Sequence, residues 1–203
     1  MLLYQYQTLY MLYKKLQSQL AQIGEFSDNF ADFGYKNKKA EMLYIFDRLN
    51  NTQPNGERRA SADWKQTAIF EPHRIPKSSY TLEHWAPQVP KDEKTVKETT
   101  PLEEVHNIGN LIVLATTTNS KLGNKNPAEK AKYLDDSEMN TLPHNKNFIT
   151  TNRSKFDSWD DKAIKERTKK MADDAYSLVW KFTPPMLEPE DKRLITPEGY
   201  LLL

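Results

Sequence analysis

Glu83 and His84 stand side by side in the stretch YTLEHWAPQVP, residues 80–90, of a chain of 203 residues with four histidines and no cysteine. Asn110 follows inside HNIGNL and Asn119 inside TTTNSKLGN. A carboxylate oxygen and an amide oxygen are hard ligands that suit Mg²⁺, an ion that keeps several waters for a phosphate to displace. Beside such an ion a neutral imidazole takes a proton from water near neutral pH. Those residue types together point to phosphodiester hydrolysis. A Glu-His pair alone is more often ordinary surface chemistry, so the weight rests on the joint pattern with Gly109-Asn110-Leu111, Asn119 and Lys130.

For these groups to meet, the chain must bend back on itself. YTLEH has strand character and Pro87 closes it, while Leu111, Ile112, Val113 and Leu114 form the short apolar run of a buried strand. The intervening KDEKTVKETTPLEEVH is charged and proline-interrupted, a solvated connection. If the two strands pair as a hairpin and the next helix packs across them, Glu83, His84 and Asn119 converge on one side. After Ala115 three threonines offer N-caps for a short helix through Asn119 and Lys121, stopped by Gly123. Asn126, Pro127 and Glu129 then make a capping box for a helix to about Leu134. Ser158 or Asp160 caps the strongest helix, which shares Ile164, Met171, Ala175, Leu178 and Phe182 on one face and runs to about Lys181.

Upstream, residues 2–23 place Leu9, Leu12, Tyr13, Leu16, Leu20 and Ile23 on one face of an amphipathic helix. A loop and a helix from about Lys38 to Leu49 follow. The organisation expected is a helical N-terminal subdomain over residues 1–65, a catalytic domain over 66–182 and a proline-rich tail over 183–203. The fold class is α+β, mostly helical.

Composition limits the rest. The 29 Lys and Arg against 28 Asp and Glu leave a net charge of +1, so any polyanion site is a local patch. Absence of cysteine excludes disulfides, thiolate zinc sites and cysteine nucleophiles, and fits a reducing compartment. MLLYQYQTLYMLYKKL is too short and too interrupted for a membrane span of ~20 apolar residues, and it lacks the features of a signal peptide. A soluble, cytoplasmic protein is expected, with no membrane contact. No P-loop, dinucleotide fingerprint or HExxH motif is present.

The segments LEHWAPQ, HNIGNLIVL and NSKLGNKNPAEKAKYL together resemble the HNH, or ββα-metal, nuclease superfamily. More narrowly they resemble the HNH domain at the C-terminal end of GmrSD-type modification-dependent (Type IV) restriction enzymes. The segment WDDKAIKERTKKMADDAYSLVW is similar to the helix that closes that domain. The resemblance covers about residues 78–182 and implies a ββα-metal hairpin-helix core packed against N-terminal and C-terminal helices. It implies His84 as general base, Glu83 and Asn119 as metal ligands, and Asn110 as the residue that holds the loop and orients the histidine. Mg²⁺ is the metal implied, with Mn²⁺ as a substitute. Glutamate and asparagine stand where the superfamily's namesake pattern has aspartate and histidine, and no cysteines supply a zinc ribbon.

Between Asn110 and Tyr133, Lys121, Lys125, Lys130 and Lys132 face Glu129 alone, and Arg153 and Lys155 follow. Phosphate contacts of this kind position a duplex, although a lysine-rich helix face is more often simply solvated. Lys121 and Lys125 are the lysines expected at DNA; Asn124 and Lys130 match the family's motif as site support or DNA contact, and His106 reads equally as a phosphate contact or buttress of the site and as a loop histidine without a necessary role. His73 and His144 read as loop histidines without ligand partners, and Trp85 and Trp159 as core. The function expected is a metal-dependent DNA endonuclease, the cleavage module of a restriction or phage-defence system whose recognition and NTPase parts lie in another domain or subunit. The rival is an HNH-like module that binds DNA or protein without cutting.

Overall fold

The computed structural model describes residues 11, 12, 14–35, 39–50, 52, 80–90, 100–136 and 142–180. In chain order the elements are α1 (Ile23–Ala31), α2 (Lys39–Asn50), β1 (Tyr80–His84), a 3-10 turn (Ile108–Asn110), β2 (Leu111–Ala115), α3 (Thr116–Leu122), α4 (Pro127–Asp136) and α5 (Pro143–Asn152). A second 3-10 turn (Arg153–Ser158), α6 (Asp161–Asp174) and a π-helical turn (Ala175–Trp180) complete the order. The architecture is mostly helical α+β around one antiparallel strand pair, as the sequence predicts.

β1 and β2 pair with Leu82 opposite Val113, Glu83 opposite Ile112 and His84 opposite Leu111. Side chains alternate across a strand, so each face of the ribbon receives its own set. Leu82, Leu111 and Val113 join Phe30, Met42, Leu43 and Phe46 of α1 and α2, with Met171 and Ala175. Ile112 and Leu114 join Trp85, Leu122, Leu134, Phe148, Phe156, Trp159 and Ile164. Helices cover both faces, which is why β2 reads as an unbroken apolar run and not as an alternation. Trp85 and Trp159 are core residues, Trp85 fully so.

Local chemistry fixes the helix limits. Asn126 Oδ1 accepts from the Glu129 amide at 2.9 Å while Glu129 Oε2 accepts from the Asn126 amide at 3.0 Å, the reciprocal capping box that starts α4. Asp160 is the N-cap of α6, its Oδ1 accepting from the Ala163 amide at 2.8 Å. Gly123, at φ +53°, ends α3 in the left-handed region. The threonines expected to cap α3 do not; Ala115 holds the cap position without a side-chain bond, and Thr116 and Thr117 begin the helix itself. Two helices replace expected loops. α1 covers SDNF, and α5 covers the segment after Leu142, with Pro143 in its first turn.

Compact packing divides the chain into Glu25–Trp180 and a unit of residues 1–24 with 181–203. Within the larger unit, α2 shares a core with both strands, so residues up to 50 are continuous with the domain that carries Glu83. The expected subdomain limit at residue 65 and the tail from 183 lie outside the described residues, as does His73. In the other unit, residues 11, 12 and 14–17 are helical, and Met11, Leu12, Leu16 and Leu20 are exposed. No helix among the described residues is long and apolar enough to cross a membrane.

Candidate active site

The Ile108–Asn110 turn is the platform from which the site is built. Asn110 is fully buried, and each of its side-chain bonds goes to the fold. Its Oδ1 accepts from the Ala86 amide at 2.8 Å and from Trp159 Nε1 at 3.1 Å. Its Nδ2 donates to the carbonyls of Ala86 at 3.0 Å and Val105 at 2.9 Å. These bonds use the full capacity of the amide. Asn110 therefore stitches the segment after His84 to the segment before His106 and holds the loop, while its side chain makes no bond to the His84 ring. Its amide is spent on holding the loop.

Gly109 is required by close approach. A Cβ there would overlap Thr168 Oγ1 and the Ile164 carbonyl of α6. α6 reinforces the turn from the same side: Arg167 Nη1 donates to the Gly109 carbonyl at 2.7 Å, and Thr168 Oγ1 donates to Asn107 Oδ1 at 2.5 Å.

Glu83 lies on the face of β1 turned toward α3 and α4. Its Oε1 accepts from Lys130 Nζ at 2.6 Å, and the same ammonium donates to the His84 carbonyl at 2.5 Å. Lys130 is buried. Burial raises the Glu83 pKa and lowers that of Lys130, in each case opposed by the partner's charge. For both groups burial outweighs the attraction, as expected of an ion pair taken out of water. Asn119 approaches the same region from α3, its Nδ2 3.5 Å from the Leu82 carbonyl on the outer edge of β1.

The His84 ring points to the opposite face. It packs edge-on to Tyr35 with ring centroids 4.6 Å apart. Its Nε2 lies 3.2 Å from His106 Nδ1, and its Nδ1 lies 2.9 Å from Gln88 Nε2. Burial, then the neighbouring charges of His106 and Lys130, pull its pKa down to about 4. The imidazole is thus neutral at physiological pH. The pleat turns Glu83 and His84 to opposite faces, so the two adjacent side chains do not share one side of the strand pair. Adjacent residues in a regular strand cannot do otherwise. The backbone of His84 still reaches the Glu83 side, through Lys130.

Lys130 is enclosed, and its ammonium donates to Glu83 and to the His84 carbonyl, the arrangement of a site support. The burial was legible in the spacing, since Pro127, Lys130, Ala131 and Leu134 form one buried stripe of α4. Lys121, Asn124, Lys125 and Lys132 are exposed. Lys125 Nζ donates to the Lys121 and Leu122 carbonyls and so caps the C-terminal end of α3. Arg153 pairs with Asp135, and Lys155 with Glu166 at 2.9 Å. His106 sits inside the site against His84 and stacks on Tyr35. Tyr35, distant in sequence, carried no signal of its place; Gln88 did, four residues after His84 in the quoted motif.

Among the described residues, no cluster of three or more His, Cys, Asp or Glu side chains gathers to hold a metal. Glu83 and Asn119 would offer one carboxylate and one amide, a sparse set of hard donors of the kind that suits an ion retaining most of its water, as Mg²⁺ does.

No curated protein and no solved structure matches the chain. A family model does match, over residues 20–174, a span that takes in α1, the strand pair and α6. On that match the chain belongs to the family of the C-terminal domain of GmrSD restriction endonucleases.

Proposed function

We propose that the domain is a metal-dependent DNA endonuclease of HNH type. The observation that carries this reading is the family membership combined with an antiparallel strand pair that bears Glu83 and runs directly into the helix bearing Asn119. Glu83 and Asn119 would hold the ion, Mg²⁺ by donor type. When bound, it would stabilise charge developing on the phosphate and the leaving oxygen. His84 would take the proton of the attacking water. Its neutral state at pH 7 supports that role, and one ring nitrogen must exchange its bond to His106 or Gln88 for a bond to water. Lys130 would hold the Glu83 carboxylate and the His84 backbone in register. By family, the domain would be the cleavage module of a modification-dependent restriction or phage-defence system, working in the cytoplasm with recognition and NTPase parts elsewhere.

The second reading is a module that binds DNA or protein without cutting. What favours it is that both His84 nitrogens are engaged and Lys130 occupies a Glu83 oxygen. Nicking of supercoiled plasmid in Mg²⁺ or Mn²⁺ separates the two. Cleavage by the wild type that falls by about 10²-fold or more in His84→Ala, with the variant still folded, is expected. No cleavage with either metal, or equal cleavage by the variant, sinks the nuclease reading.

A further inference from the structure

α5 and α6 wall a cavity of about 30 Å³, lined in part by His144, Asn147, Phe148, Arg167, Lys170 and Asp174. Two nitrogens of these residues, His144 Nε2 and Arg167 Nη2, are buried and have no hydrogen-bond partner among the described residues. Arg167 is only 7 % exposed. Its Nη1 bonds the Gly109 carbonyl, and its guanidinium carbon lies 3.6 Å from the centre of the Phe148 ring. Neither contact neutralises the charge. The acid on the wall, Asp174, accepts from Lys170 at 3.1 and 3.3 Å. A guanidinium enclosed without a carboxylate of its own is unstable unless an anion compensates it.

The ligand class follows from donors and size. Arg167 Nη2 can only donate, and neutral His144 donates from Nε2 when the proton sits on that nitrogen. Two unpartnered nitrogens in one lining, one of them on a guanidinium that carries a full positive charge, favour negative charge. The space open to the centre of a water-sized sphere, about 30 Å³, is room enough for a small anion. We propose that this cavity is a small-anion site, occupied by chloride where chloride is the anion present, that ties α5 to α6. A water in the same place would satisfy the hydrogen bonds and leave the charge of Arg167 uncompensated. The proposal is independent of whether the domain cuts DNA.

Two measurements on the full chain test it. Crystals soaked in sodium bromide and measured at the bromine edge should show an anomalous peak within hydrogen-bond reach of both nitrogens. An ordered water there without anomalous signal overturns the proposal. At fixed ionic strength and pH 7.5, replacing gluconate by chloride should raise Tm by roughly 3–5 °C per tenfold chloride above the Kd. That rise should vanish in Arg167→Gln and weaken in Lys170→Gln, whose exposed side chain can be changed without disturbing the core if the first variant does not fold. A flat Tm, even with a bromide peak, marks binding at crystal concentration only and overturns the proposal. So does a chloride-dependent rise that both variants retain.

Discussion

Lys130 is the residue on which the candidate site turns, because one buried ammonium holds both the Glu83 carboxylate and the His84 backbone. Removing one partner of a buried pair strands the other charge, at a cost of about 3–5 kcal/mol. Lys130→Met should therefore destabilise the domain strongly in urea unfolding. Glu83→Gln on the Lys130→Met background should recover part of the loss, because it removes the stranded carboxylate. Strict additivity of the two substitutions would show that the pair does not interact. At this scale the sequence was informative about types and less so about directions. Glu83 and Asn119 were legible as oxygen-bearing groups on a strand and on the helix after the next strand, and Asn110 as the loop holder. The turn of the His84 ring to the face opposite Glu83 was not, because it depends on strand pairing continuing through residue 84, and motif spacing carries no pleat.

At the scale of elements, α6 governs the site without contributing a group to it. Thr168 and the Ile164 carbonyl meet Gly109 with no space for a methyl group, so Gly109→Ala should cost about 1–3 kcal/mol and lower Tm by several degrees in a thermal melt. A Tm within a degree of wild type would show that the turn can shift away from α6. α5 carries its own signature in pH. Burial, then the nearby charges of Arg167 and Lys170, hold the His144 pKa down at about 3. The unfolded chain binds a proton at ~6.5 that the folded protein refuses, so stability is complete above that pH and is lost as pH falls toward 3. The slope attributable to His144 should be about 1.4 kcal/mol per pH unit within that window, in chloride-free buffer. His84, depressed to about 4, adds a slope of the same sign. His144→Gln should remove its own share, and an unchanged acid slope between pH 6 and 4 would refute the assignment. α5 went unread as a helix because its sequence, PHNKNFITTN, has a weak apolar pattern; its stability comes from burying Asn145, Phe148 and Ile149. Asn145 Nδ2 donates to the Val113 carbonyl at 2.5 Å. Such tertiary bonds override a weak local propensity.

Across the whole molecule, charge and fold tell different stories, and the difference yields a prediction about DNA. Motif resemblance began near residue 78, whereas the packed unit begins at Glu25, because α1 and α2 contribute apolar contacts that leave no polar signature. Composition gave a net charge near zero, and the local excess around α3 and α4 shrinks further once Lys130 is assigned to Glu83. What remains exposed is Lys121, Lys125 and Lys132. Each lysine that neutralises a phosphate releases a counterion and steepens the fall of log K with log salt by about 0.9. Duplex binding by a cleavage-deficient His84→Ala chain should therefore weaken with salt. Lys121→Ala and Lys132→Ala should each flatten the slope by about one, and Lys125→Ala should do the same while also loosening the C-terminal end of α3. These substitutions should weaken binding uniformly across sequences, since phosphate contacts carry no base information. Fluorescence anisotropy between 50 and 300 mM salt gives the slopes. If all three variants keep the parental slope, the duplex does not lie across α3 and α4, and the DNA path must be sought on another face of Glu25–Trp180.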